Sequence, residues 1–119
     1  MKTQHINFCQ YYSKLDKDSF TTVRWTDKYY RVGRVYDIVL TNLGLGLPLY
    51  YYEQTLFQAK CVKIELKRIN QFTEEFVRSD ADCSIDEFFK MMKSWYKQKP
   101  DWKDINSEMQ VLYLEKQKG

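Results

Sequence analysis

The chain has 119 residues and a mass of 14.5 kDa, enough to bury one hydrophobic core but not two, so we expect a single domain spanning residues 1–119. Because 44% of the residues are hydrophobic, 29% are charged, and Gly and Pro are few, the composition excludes fibrous and disordered proteins. The net charge of +3 permits an anionic partner without requiring one.

The cysteines and the histidine limit the kinds of site that the chain can form. Cys9, Cys61 and Cys83 are far apart and form no C-x-x-C pair, which argues against a disulfide framework and against a zinc site. His5 is the only histidine, so catalytic triads and metal sites that need several histidines are excluded. The start shows no secretion signal, and no apolar run approaches the ~18 residues of a membrane span. We therefore expect a cytoplasmic protein without a metal, a cofactor or a membrane anchor.

The first half of the chain predicts one helix and up to three strands. Apolar residues recur at helical spacing between Phe8 and Leu15, which predicts a short helix packed on a sheet. The β-branched and aromatic residues from Thr21 to Trp25 predict a strand, and so does the alternation from Val35 to Thr41. Leu49 to Glu53 is a further candidate strand, after a loop that contains Gly and Pro.

A longer strand and a short helix follow. The stretch from Ala59 to Ile69 alternates, which predicts a strand whose inward face carries Val62, Ile64 and Leu66. Thr73 precedes two glutamates and is a suitable N-cap for a short helix, because acidic side chains are favoured in a first helical turn.

The last third predicts a helix and a closing strand. Ser84 and Glu87 have the spacing of a capping box, followed by an amphipathic stripe that ends before Pro100. The apolar run from Met109 to Leu114, with Gln110 exposed, predicts the last strand. Because helices do not alternate with strands, we expect an α+β fold: a small, mixed, mostly antiparallel β-barrel flanked by about three helices.

A basic and aromatic segment follows the first predicted strand. Aromatic rings beside cations are the combination that binds single-stranded nucleic acid, by stacking bases and contacting phosphates. The alternative is a solvated loop whose rings pack inward. The candidate nucleic-acid-binding residues are Thr22, Arg24, Trp25, Lys28, Tyr29, Arg31 and Arg34.

Four segments, in this order, resemble the ASCH family of the PUA-like superfamily. The segment 21–24 (TTVR) is similar to the family's T-x-R strand, and 32–35 (VGRV) to its V-G-D-x-V entry to the next strand. The segment 72–75 (FTEE) is similar to the start of its acidic helix, and 84–96 to its long helix ending in Tyr. The resemblance covers roughly residues 6 to 115 and implies a PUA-like barrel with a cleft for RNA, a nucleotide or a nucleoside.

One bacterial branch of this family hydrolyses acetylated cytidine with a Lys, a Thr and a Glu. The resemblance places its Thr on Thr22 and the strand arginine on Arg24, whereas its Lys falls on Ser19, with Lys17 close by. Its Glu falls near Asp80, where a one-residue gap also allows Ala81, with Asp82 next. Because a serine cannot act as the lysine base or nucleophile, the resemblance favours binding over catalysis.

Three hypotheses follow from the sequence. The first is an RNA- or nucleotide-binding module with a basic cleft near Thr22, Arg24 and Asp80. In this hypothesis Lys17, Lys28 and Arg31 steer the phosphate. The second is a small amidohydrolase acting on acylated cytidine or a related nucleoside, with Lys17, Thr22 and Asp80 as catalytic residues. The third is an adaptor that binds another protein through its aromatic surface.

Overall fold

The structure is a computed structural model that describes residues 4–41 and 53–117. Within these ranges it contains five strands and two α-helices, together with short 3-10 turns at Ser13–Asp16, Ile69–Gln71 and Asp104–Asn106. The strands are β1 (Gln4–Phe8), β2 (Ser19–Trp25), β3 (Val35–Thr41), β4 (Glu53–Arg68) and β5 (Glu108–Lys116). The helices are α1 (Glu74–Ala81) and α2 (Ile85–Tyr96).

The strands form one mixed sheet in the order β1-β3-β4-β5-β2. The β1–β3 pair is parallel and the other three pairs are antiparallel, which confirms a mixed, mostly antiparallel α+β fold. The prediction of a closed barrel with about three helices is wrong for the described ranges, where the sheet is open and two α-helices are present. β1 and β2 are its edge strands.

The 16-residue strand β4 shapes the sheet. Its first part pairs with β3 and its second part with β5. The β4–β5 register shifts between Cys61 and Lys63, and the β3–β4 register shifts at Ile38 and Val39. Such bulges bend a strand and increase the local twist. The two edge strands consequently approach each other: the Arg24 guanidinium on β2 lies 4.8 Å from the ring centre of Phe8 on β1.

Both helices begin where the sequence predicts. The Thr73 hydroxyl accepts a hydrogen bond from the Phe76 backbone N–H and caps α1. Ser84 and Glu87 form the predicted capping box at the start of α2, each side chain accepting from the other residue's backbone N–H. These contacts satisfy donors that a helix N-terminus otherwise leaves unpaired.

The predicted first helix, Phe8 to Leu15, is wrong. Phe8 ends the parallel edge strand β1, and only Ser13–Asp16 turns, as one turn of 3-10 helix. Three residues of the predicted stripe, Phe8, Tyr12 and Leu15, still reach the core, whereas the fourth, Tyr11, is exposed. They do so from a strand end and a turn, so the same spacing is satisfied by different backbone geometry.

Other strand predictions meet mixed outcomes. The Val35–Thr41 strand is confirmed residue for residue, and the strands predicted at 21–25, 59–69 and 109–114 are confirmed with shifted ends. Val62 and Leu66 are exposed rather than inward, since the bulge after Cys61 changes which side chains face the core. Gln110 is buried rather than exposed. The predicted strand at 49–53 and the loop at 42–48 lie outside the described residues, except for Glu53 in β4.

The core lies between the curled sheet and the helices and is rich in aromatic rings. Trp25 stacks on Tyr96 with ring centres 5.1 Å apart, and it also contacts Trp102. Phe72 packs against Phe88. These contacts attach α2 to the inner face of the sheet near the edge strand β2.

Candidate functional site

A cavity of about 290 Å³, hereafter the cleft, opens where the two edge strands approach each other beneath α2. This volume is near the lower limit of about 300 Å³ for small-molecule sites, so the cleft fits one small ligand and not a dinucleotide cofactor. Its walls are mostly apolar and aromatic, with a few polar side chains. The apolar walls include Phe8, Tyr12, Phe88, Met92, Trp95 and Tyr96, and the polar ones Asn7, Lys14, Thr22, Arg24 and Asp80.

A buried ion pair lies at the cleft. The Lys14 ammonium is 3.2 Å from Asp80 Oδ1, and the two residues are only 3% and 4% exposed. Removing two charges from water is costly, and such pairs are found where function or specificity requires them. Burial lowers the Lys14 pKa to about 8, while attraction to Asp80 opposes that shift. Lys14 therefore gives up its proton at a lower pH than an exposed lysine does, which is the property that a lysine base requires.

Three neighbouring side chains contact the pair. The Thr21 hydroxyl donates to Asp80 Oδ1 over 2.8 Å, so the oxygen that faces Lys14 is also held from β2. The Lys14 ammonium lies 5.2 Å and 5.3 Å from the ring centres of Phe8 and Tyr12, within the range of cation–π attraction. Lys14 is thus enclosed by one carboxylate and two rings.

The turn that carries Lys14 is attached to the end of α1. Asp82 caps α1 in the left-handed conformation, with φ 56°, and its carboxylate accepts hydrogen bonds from the backbone N–H and hydroxyl of Ser13. The hydroxyl and the backbone N–H of Ser13 lower the Asp82 pKa. Since Asp80 and Lys14 are close neighbours of Asp82 and Ser13 along the chain, this contact holds the two segments that carry the ion pair together.

Arg24 lies between the aromatic wall and the threonine strand. Its Nε donates to the Thr22 hydroxyl over 3.1 Å, and its guanidinium packs on the Phe8 ring. The sequence-predicted residues Thr22, Arg24 and Asp80 therefore all line one cavity. A guanidinium held in this way presents a planar set of donors suited to a phosphate or a base edge.

Lys17 and Ser19 lie elsewhere. Both are exposed and line a separate, open cavity of about 390 Å³, on the other side of the Lys14 and Thr21 side chains. The lysine in the cleft is Lys14, which sequence reasoning missed. The residues around Lys14 in the sequence do not indicate that it is buried, because its burial depends on Asp80, 66 positions later.

The remaining predicted residues divide into core and surface. Trp25 is buried against Tyr96, so its ring fills the core. Tyr29 is 76% exposed with the Arg31 guanidinium 6.0 Å from its ring centre, and Lys28 is exposed at the edge of the cleft region. Arg34 is half-buried, and its backbone carbonyl accepts a hydrogen bond from the Cys61 N–H of β4.

The loop between β2 and β3 is anchored by a side chain that alternation predicts to be exposed. The buried Gln110 amide donates to the backbone carbonyls of Trp25 over 2.9 Å and of Lys28 over 2.7 Å. These bonds set where the loop leaves β2, next to Arg24. The loop then turns through Gly33, whose φ of +91° suits a residue without a Cβ.

Within residues 4–41 and 53–117, no group of three or more His, Cys, Asp or Glu side chains is arranged to hold a metal ion. Neither α-helix of these ranges is long and apolar enough to cross a bilayer. No family model matches the chain, and no curated protein or solved structure matches it significantly.

Proposed function

We propose that the cleft binds one nucleoside unit of an RNA or nucleotide, in the manner of an ASCH-type module. The observation that carries this proposal is Arg24, which Thr22 and the Phe8 ring hold in the lining of an aromatic cavity sized for one small ligand. A base is flat and stacks on aromatic rings, while a guanidinium hydrogen-bonds its edge or its phosphate.

The charges in the cleft favour a ligand that has an uncharged polar base next to a negatively charged group. The Lys14 charge is balanced by Asp80, whereas Arg24 donates to a neutral hydroxyl. The Arg24 charge is therefore available to an incoming anion, and the net charge of +3 favours such a partner.

Thermal melting against nucleosides, nucleotides and short RNAs tests the binding. We expect a cytidine- or uridine-containing ligand to raise the Tm, because a ligand that binds only the folded state stabilises it. Arg24→Gln should abolish the shift, whereas the matched change Lys60→Gln, on the exposed face of β4, should preserve it. An unchanged Tm across the whole panel would refute the proposal.

A second candidate, hydrolysis of an acylated cytidine or related nucleoside, gains support from Lys14. A neutral amine in the cleft can accept a proton from water as the water oxygen attacks the acyl carbon. The C–N bond then breaks, the nucleoside amine receives the proton, and the acid is released. Asp80 keeps the amine in position, and Thr22 lies in the same cavity to orient the acyl group.

Incubation with N4-acetylcytidine, followed by chromatography, tests this candidate. Lys14→Met should remove any conversion to cytidine and acetate, whereas Lys17→Gln should not, because Lys17 lies outside the cleft. If Lys17→Gln loses conversion and Lys14→Met retains it, Lys17 is the catalytic lysine, as the resemblance suggests. If the unaltered protein converts no substrate, hydrolysis is refuted and ligand binding remains the proposed function.

A further inference from the structure

A smaller cavity of about 180 Å³, hereafter the annex, adjoins the cleft. The two cavities share Asn7, Arg24 and Tyr96, so they meet at these side chains. We therefore treat them as two parts of one site, into which a ligand larger than the cleft can extend. The rest of the annex is lined by Trp25, Asp27, Lys28 and Tyr30.

The charges around the annex favour an anion. Lys28 contributes an exposed ammonium that lies 5.7 Å from the Tyr30 ring centre, and Arg24 contributes its guanidinium. The one carboxylate in the lining, Asp27, accepts a hydrogen bond from Lys99 over 2.6 Å and is already compensated by that cation. The lining therefore carries two cations, Arg24 and Lys28, and one carboxylate that already has a cationic partner outside the lining.

The annex also offers neutral donors. Burial raises the pKa of the Tyr30 and Tyr96 hydroxyls, while the nearby Arg24 charge lowers it in both. Both hydroxyls therefore stay protonated at neutral pH and lie within the electrostatic reach of the guanidinium. Phosphate oxygens also accept hydrogen bonds from neutral hydroxyls, although those from cations are stronger.

We propose that the annex binds the phosphate of a nucleotide whose base and sugar occupy the cleft. This inference rests on the proposed function of the cleft and specifies its ligand as a phosphorylated nucleoside. One of the five N–H donors of Arg24 is used by Thr22, and a guanidinium contacts phosphate through a fork of two donors. Arg24 can thereby contact both the nucleoside and the phosphate, whereas Lys28 contacts the phosphate alone.

Calorimetric titration of cytidine, cytidine 5′-monophosphate and the trinucleotide ApCpA at low and high salt tests the inference. We expect the monophosphate to bind about tenfold more tightly than cytidine at low salt, and the difference to shrink as salt screens the phosphate. Lys28→Gln should reduce that preference by about fivefold and leave cytidine binding unchanged. The matched variant Lys60→Gln should change neither affinity.

The outcomes separate the annex from the cleft. Equal affinity for cytidine and its monophosphate, or an equal loss of both in Lys28→Gln, would overturn the phosphate site while leaving the cleft as a nucleoside site. Failure of all three probes to bind would overturn both. Preference for ApCpA over the monophosphate would support the same site and assign its phosphate to an RNA chain, whereas the reverse preference would assign it to a free nucleotide.

Discussion

Lys14 Nζ lies 3.2 Å from Asp80 Oδ1, although 66 positions separate the two residues along the chain. This contact brings a turn between two strands onto the end of α1 and closes one wall of the cleft. Both partners are almost fully buried, so each charge depends on the other for its stabilisation.

Asp80→Asn tests that dependence. The amide keeps the shape of Asp80 and can still accept from Thr21, but it leaves the Lys14 charge buried and uncompensated. We expect a loss of about 3–5 kcal/mol in the free energy of unfolding, measured by urea denaturation at pH 7. The exposed control Asp101→Asn should stay within about 0.5 kcal/mol of the unaltered protein. A loss below about 1 kcal/mol for Asp80→Asn would mean that water reaches the pair.

The Lys14 pKa predicts how stability depends on pH. Its folded value of about 8 lies below the unfolded value of 10.5, so between these pH values the unfolded chain keeps a proton that the folded chain has lost. Stability therefore rises with pH in this window as far as Lys14 contributes, and the cost of burying its charge is fully present below pH 8. Denaturation of the unaltered protein and of Lys14→Met from pH 7 to 10.5 isolates this contribution, because the other titrating groups are common to both. A difference that is independent of pH would contradict the lowered pKa.

Thr21 is expected to stabilise the pair through its hydroxyl alone. Thr21→Val removes the hydrogen bond to Asp80 while keeping a β-branched side chain on β2, and hydrogen bonds to charged groups contribute about 1.5–3 kcal/mol. We expect a loss of this size in the free energy of unfolding. Thr21→Ser retains the hydroxyl and should recover most of it; a larger loss in Thr21→Ser than in Thr21→Val would indicate that packing of the methyl group, not the hydrogen bond, is responsible.

Gln110 is expected to hold the loop between β2 and β3. Gln110→Leu leaves the carbonyls of Trp25 and Lys28 without this donor, which should cost about 2 kcal/mol or more. Amide hydrogen exchange in residues 26–34 should accelerate, because the loop loses its attachment to β5. Gln117→Ala, which removes an exposed contact to a carbonyl two residues away, provides the control and should leave exchange in the loop unchanged.

The parts of the fold that depend on neighbouring residues could be predicted from the sequence. The capping box at Ser84 and Glu87 and the alternation in Val35–Thr41 act within one element, so α2 and β3 begin and end close to the prediction. The Phe8 to Leu15 segment failed because its apolar residues have helical spacing but are buried from β1 and a 3-10 turn.

The site was predictable only in part, for a related reason. Thr22, Arg24 and Asp80 were singled out, and they line the cleft. Lys14 and Gln110 were missed because a lysine or glutamine is normally exposed, and each is buried only through a partner distant in sequence. Val62 was misplaced because a bulge shifts the register and leaves no clear mark in the alternation.

The pairing of β2 with β5 has a consequence for how the protein folds. The Trp25 carbonyl bonds a glutamine 85 positions later, and all of β2 pairs with β5. Contacts between residues so far apart in sequence form slowly, because the entropy of closing a long loop is lost before the contacts stabilise the chain. Refolding should therefore restore helical signal from α1 and α2 early, and the capacity to bind ligand only when the β2–β5 pair forms, so recovery of binding reports on the slowest step of folding.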